Sequence, residues 1–599
     1  MLGLLSIAKL NVKTLQHFIC CNVYIVVFVI TIIISQSTSA GEKTLPYPSP
    51  VRPKIEFSSD QRSDRALGSY LAGTYALTKN DQLLASKYLS NALEVNPNNT
   101  QLLKNSINAF VAIGDIESAV PLASRLILSK PNNNFARLVL IVDFLANQKI
   151  DDAKYQISKL SLEGIYGLLG PLLSAWAEYG NENVNVAISA MESLKTKKIY
   201  QPYFSFHSAM INDLSENVID AEKLYLKTAQ TSVGQTNRWI LIYGDFLTRN
   251  NRQDEAIKLY KSWLESDPNS SWLEQVLTKT HHSKDNTQEI RGYRDGIAEV
   301  FYGIASLLPQ SAGHANALIY TRLALHLRKD FAAAYILLGE IYESLGQFKE
   351  AISEYEKVSQ ESIFLWTAKL RKSQKLAELK NLDEAMDILR PMVEEQPKRT
   401  DAPEVLGDIL RFAEHHTEAI KAYDIAIDRV SVFRSDHWRL LYSRGVSLEQ
   451  TKNWERAEKD FLKALNLSPS QPLVLNYLGY SWLEMEINLN RAKTMIEEAV
   501  KLRPNDGYIV DSLGWAYYRL GDFNNAIHFL ERALELIPND PIINDHLGDA
   551  FWETGRFIEA RYQWNRAITL GASGDYVKAI KEKLGRDFKV YDHNLGNGS

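Results

Sequence analysis

Residues 507–540 read GYIVDSLGWAYYRLGDFNNAIHFLERALELIPND. Five positions carry the reading: Gly514, Ala526, Leu530, Ala533 and Pro538. Apolar residues return at helical spacing on both sides of Gly521, as two amphipathic helices joined by a turn require. Gly521 tolerates the left-handed conformation that ends the first helix, and Pro538 ends the second. Gly514, Ala526 and Ala533 are small enough to let the two backbones approach closely, while Leu530 fills the gap to the next pair. Such a hairpin cannot bury its apolar face alone, so neighbours must stack on it.

The same marks recur along the chain with one period. Ala85, Ala119, Ala153, Ala187 and Ala221 are 34 residues apart, Ala256 follows after 35, and Ala317, Ala351, Ala385 and Ala419 are again 34 apart. Ala457, Ala492, Ala526 and Ala560 complete the series at steps of 38, 35, 34 and 34. Gly73, Gly244, Gly339, Gly407, Gly445 and Gly548 hold the place of Gly514; Leu89, Tyr260, Tyr355, Tyr423, Phe461 and Trp564 hold that of Leu530.

This pattern resembles the tetratricopeptide repeat. Leu475 to Trp482 (LNYLGYSW), Asp506 to Trp515 (DGYIVDSLGW) and Ile543 to Asp549 (INDHLGD) are also similar to the long exported repeat proteins of alphaproteobacteria. The resemblance implies an all-α fold, a right-handed α-solenoid of about 14 helix-turn-helix repeats, with a capping helix near Asp575–Gly585. It further implies an envelope location and no established enzymatic activity.

The register breaks twice. From Ala256 to Ala317 is 61 residues, so residues 271–297 are surplus or degenerate. They are expected to form either a hinge between an N-terminal array (65–270) and a C-terminal array (298–571) or a plain surface loop. Four extra residues near Ser431–Ser435 make a smaller fault. Residues 572–599 are expected to hold the capping helix and a frayed tail.

The N-terminus bears on the compartment. Lys9 and Lys13 precede an apolar run from Phe18 to Ile34, and Thr38 and Ala40 stand before Gly41. A basic start, an apolar stretch and a small-x-small exit make residues 1–40 a signal peptide or an uncleaved N-terminal anchor. Either way the rest is expected to be exported and periplasmic, by the positive-inside rule. Both cysteines, Cys20 and Cys21, lie in this segment, so a mature chain would have no disulfide or thiolate chemistry. Residues 41–64, with Pro46, Pro48, Pro50 and Pro53, read as an extended linker.

Composition adds exclusions. The 599 residues are 45% hydrophobic and 23% charged, ordinary for a folded protein, and 67 basic against 72 acidic residues argue against nucleic acid as an obligatory partner. No phosphate loop, dinucleotide-binding turn, His-Glu-x-x-His or Gly-x-Ser-x-Gly is present. His281-His282 and His415-His416 lack converging ligands and read as solvated turns, so no metal and no cofactor is expected.

The expected functional surface is the inner curve, lined by the first helix of each repeat. Inward positions in the best-formed units are Leu473, Asn476, Tyr480, Leu483 and Glu484, then Tyr508, Asp511, Trp515, Tyr518 and Arg519, then Ile542, Asp545, Asp549, Trp552 and Glu553. The partner-binding groove is assigned to Asn476, Tyr480, Asp511, Trp515, Tyr518, Arg519, Asp545, Asp549 and Trp552. This aromatic and acidic strip suits a basic or neutral extended segment of a protein, held through ring faces and charge. The expected function is a non-catalytic protein–protein scaffold of the cell envelope, touching the membrane only through the N-terminal segment. The alternative is a periplasmic glycan binder using the same strip. An enzyme would need converging acid–base residues, and the sequence offers none.

Overall fold

The computed structural model describes residues 59–267, 270–282, 288–308, 313–571 and 574–585. The expected signal segment, the linker as far as residue 58, the side chains of His281 and His282, and the tail beyond Gly585 lie outside the described residues. The first helix starts at Ser59 and so takes in the last residues of the expected linker.

Thirty α-helices and no strand occur among the described residues. Twenty-eight of them pair into fourteen hairpins, six from Ser59 to Ser266 and eight from Tyr293 to Thr569. Lone helices stand between the two sets (Ser271–His282) and at the end (Gly574–Leu584). The result is an all-α solenoid with a C-terminal capping helix. The repeating marks do what their chemistry requires. Gly521 closes its turn at φ 79°. A Cβ on Gly514 would meet Leu530 at 2.6 Å, and one on Gly548 would meet Trp564 at 2.5 Å, so only glycine permits these approaches.

The eight-hairpin set does not simply continue the first six. After hairpin 6 the chain turns back into the inner curve. The first helix of hairpin 7, Tyr293–Leu307, lies against the first helix of hairpin 4, Tyr166–Gly180. Its second helix, His314–Leu327, lies against the first helices of hairpins 2 and 3, Thr100–Ile113 and Asn134–Ala146. The Tyr293 hydroxyl donates to the Leu145 carbonyl at 3.1 Å, and Arg322 Nε to the Ala112 carbonyl at 3.2 Å. Gly296 sits flat on Trp176: a Cβ there would fall 2.4 Å from the indole. Hairpin 7 therefore fills the inner curve of hairpins 2–4. One continuous core runs from Ala76 to Ala368, whereas the later hairpins bury three smaller cores.

The fault at 271–297 is packed on both sides. Helix Ser271–His282 leaves hairpin 6 and reaches hairpin 9, where Ser271 and Thr367 share a hydrogen bond of 2.7 Å, Trp272 stacks on Phe364, and the Lys279 ammonium donates to the Glu361 carbonyl. Beyond it, half-buried Glu289 joins a largely buried ionic cluster. Arg238, 5% exposed, donates to Glu299, 4% exposed, and to Glu289 at 2.7 Å. Arg328 reaches Glu289 at 3.3 Å, and both guanidiniums lie over the Phe331 ring. Removing one member of such a cluster strands a buried charge.

The seating of hairpin 7 is tested at two glycines of one helix. Gly296→Val should lower the stability of the first half by about 1–3 kcal/mol through overpacking against Trp176. Gly303→Ala, with open space around it, should be neutral or stabilising by up to about 1 kcal/mol. Denaturant unfolding of the two variants measures both, and equal midpoints would refute the close approach.

Candidate functional site

Among the described residues, hairpins 10–13 keep their inner curve open: their first helices make their principal contacts with neighbouring hairpins, and no distant helix crosses them as hairpin 7 crosses hairpins 2–4. The expected groove residues lie on hairpins 12–14 and divide into three groups.

One group stays at the surface of the groove. Trp515 stacks between Tyr518, at 4.7 Å, and His546, at 4.1 Å, and its indole N–H donates to Glu484 at 2.6 Å. Arg519 pairs with Glu486 at 2.8 Å and lies 3.6 Å from Glu484. Tyr480 is half-buried, and burial, then the Glu484 and Asp511 carboxylates, push its phenol well up. Tyr508 and Ile542 are the boldest apolar contacts, 46% and 48% exposed.

A second group forms the floor. Asp511 is 7% exposed and bonded to His546 Nδ1 at 2.9 Å. Burial alone would lower the His546 imidazole, but the Asp511 carboxylate overrides it and holds the ring above its ordinary value. Leu483 is fully buried core. Asn476 encloses its Oδ1 without a hydrogen-bond partner among the described residues.

The third group is covered by the capping helix or packed on its own hairpin. Lys583 bonds Asp545 at 2.8 Å and Asp549 at 2.7 Å, and the Tyr576 hydroxyl donates to Asp545 at 2.8 Å. Asp549 also accepts from the Trp564 indole at 3.1 Å. Trp552 packs on Phe557 and Trp564. Asp511, Asp545 and Asp549 are thus tied up within the fold, because burial forces each carboxylate to find an internal partner.

The groove also holds acids that the sequence reading passed over. Glu404 and Asp408 are the fourth and eighth residues of helix Asp401–Phe412, the fifth and ninth of a repeat counted from Thr400, and Glu340 and Glu343 are the ninth and twelfth of helix Ala332–Ser344. Asp408 accepts from the Tyr423 hydroxyl at 2.7 Å, and Glu340 and Glu343 flank Arg371. Glu404 is half-buried, and burial, then Asp408 and Asp401, push its carboxyl up to about 8. Burial likewise raises Asp408 and Glu340. Applying the inward-position rule to the less regular hairpins would have found these residues. Among the described residues, no group of three His, Cys, Asp or Glu is placed to hold a metal ion, and no helix is long and apolar enough to cross a membrane.

Tetratricopeptide repeat profiles match residues 332–360, 405–472 and 512–540. A TPR repeat-containing protein of Pseudomonas aeruginosa is 29% identical over 194 residues, 32% of each chain. A tetratricopeptide repeat-containing protein of Caenorhabditis elegans is 28% identical over 191 residues, 32% of this chain and 22% of that one. The chain thus spans a third or less of the length of these relatives. Among solved structures, the APC/C hetero-tetramer Cut9–Hcn1 aligns over 88% of this chain and 99% of that one, at 15% identity and a TM-score of 0.37. A MamA structure aligns over 27% and 94%, at 20% identity and a TM-score of 0.24. Together with the 34-residue period and the fourteen hairpins, the profile matches show that this chain carries tetratricopeptide repeats.

The Glu404 shift has a sign that can be checked. Its folded value of about 8 stands above the ordinary 4.5, so the folded state holds the proton more tightly. Stability from that proton is fully present below pH 4.5 and is lost as pH rises through about 8. Glu404→Gln keeps a neutral group at every pH. Thermal melts should show the variant gaining on the wild type steadily from pH 5 to pH 8; a constant gap would refute the shifted carboxyl.

Proposed function

We propose that the chain is a non-catalytic scaffold of the cell envelope that grips an extended, basic segment of a partner protein along the inner curve of hairpins 10–13. The observation that carries this reading is the contrast between the two halves. The inner curve of hairpins 2–4 is apolar and filled by hairpin 7. That of the later hairpins is open and lined by Glu404, Asp408, Glu484, Trp515 and Tyr508. A cationic side chain would relieve the cost of ionising Glu404 and Asp408, and Tyr508 and Ile542 offer apolar contacts at the rim. Binding is multivalent, with many shallow contacts adding along a curved face. Tetratricopeptide repeat proteins generally bind protein partners, which supports a protein as the occupant. The envelope setting is supported by the basic start, apolar run and small-x-small exit of residues 1–40.

An array of extended peptides graded by net charge tests the groove. Basic peptides should bind, acidic ones should not, and added salt should weaken binding. Glu404→Lys combined with Glu484→Lys should weaken it at least tenfold, while circular dichroism stays unchanged. Binding that ignores salt and yields to short sugars would favour the glycan alternative. Peptide binding without charge bias, or equal in the double variant, would overturn the groove assignment. A reporter fused after Gly571 and active only outside the cytoplasm would support the envelope setting; activity inside would refute it.

A further inference from the structure

The two register faults, far apart in sequence, meet at one place. Helix Ser271–His282 of the larger fault sends Glu274 to Arg399, in the loop between hairpins 9 and 10. The smaller fault lengthens the next loop, between hairpins 10 and 11, and contributes Ser431, Arg434 and His437. Between these loops lies a cleft of about 190 Å³ lined by Lys398, Arg399, Thr400, Arg429, Arg434 and His437, with Glu274 and Asp401.

Its charge is unbalanced. Both lining carboxylates are spent on Arg399: Glu274 pairs with it, and Asp401 meets its Nε at 3.2 Å while also accepting from the Trp366 indole. Arg429 donates instead to the carbonyls of Val393, at 2.8 Å, and Arg399, at 2.9 Å, which pins the loop that carries Lys398 and Thr400. Neither Arg429 nor Lys398 has a carboxylate within salt-bridge distance among the described residues. Arg434 has Asp436 beside it, at 3.6 Å, as its one carboxylate partner among the described residues. His437 accepts the Arg434 backbone N–H on Nδ1 at 2.9 Å, which assigns its own proton to Nε2. The cleft therefore offers ammonium, guanidinium, imidazole N–H and hydroxyl donors at the edge of the solenoid, away from the inner curve.

We propose that this cleft binds a phosphate group. A tetrahedral dianion can accept from several of these donors at once, where a single carboxylate would leave some of them unused. Its charge would also compensate the Arg429 guanidinium, which burial lowers from its ordinary value. The site is separate from the inner curve, so it stands or falls independently of the peptide reading.

Isothermal titration of the full chain with inorganic phosphate, at fixed pH and ionic strength set with chloride, tests it. The expected result is one saturable site, weakened at least tenfold in Lys398→Ala/Arg434→Ala and unchanged in Lys459→Ala, an exposed lysine elsewhere. Arg434→Lys, which keeps the charge but not the fork, should recover part of the binding. A second titration with glycerol phosphate separates the sources: tighter binding than inorganic phosphate assigns a phosphomonoester, and equal binding assigns free phosphate. No saturable heat, or equal heat in a double variant whose circular dichroism matches the wild type, overturns the proposal.

Discussion

Everything else in the structure follows from the seating of hairpin 7 inside the curve of hairpins 2–4. A solenoid ordinarily touches only its neighbours, which leaves its inner curve wet. Here Gly296 lies on Trp176, and Tyr293 and Arg322 reach the carbonyls that end the first helices of hairpins 3 and 2. No continued 34-residue step could deliver a hairpin there. The chain has to leave its register and turn back, and residues 271–297 are the length that lets it do so. The turning point is costly, because Arg238, Glu299 and Arg328 are buried there, with Glu289 half-buried beside them. Their mutual pairing, with Phe331 beneath both guanidiniums, offsets that cost and fixes where the chain turns.

The two halves differ in what their inner curves present. Helices Asn134–Ala146 and Tyr166–Gly180 are apolar almost all round, so one face seeks the neighbouring hairpins and the other seeks a cover. Hairpin 7 is that cover. The later first helices carry acids and aromatic rings inward, and such a face is stable in water with no cover at all. Where acids are buried there, internal partners quench them, as His546 does Asp511 and Lys583 does Asp545. Where no partner is at hand, as at Glu404, the carboxyl keeps its proton instead.

The repeat count and the capping helix were legible because both rest on local rules: a small residue where backbones touch, a left-handed turn residue, a proline at the end. The groove was legible only in part. The inward positions of Trp515, Tyr518 and Arg519 follow from helical phase, but the burial of Asp511 depends on His546 one hairpin later. The covering of Asp545 and Asp549 depends on Lys583 in the cap. Neither pairing has a sequence signature at one position. The filling of the first inner curve did have one, in the all-round apolar runs FARLVLIVDFLA and LLGPLLSAWA, which an open groove would not need. A period search averages such runs away, since it asks which positions repeat and not which units differ.

The faults matter for the same reason. An unbroken array has equivalent loops, equivalent edges and one kind of contact, so nothing on its surface is unique. The larger break in register puts residues beside partners that the repeat would never bring together: Glu289 with Arg238, and Glu274 with Arg399. The core is continuous across the first break and divides only beyond hairpin 8. Long-range contacts tie hairpins 1–8 into one core, while hairpins 10–14 bury three smaller cores between neighbours, and packing of that second kind favours local opening. A surface that must close around an extended segment is served by the second kind of packing, and the open, acidic inner curve lies in that half.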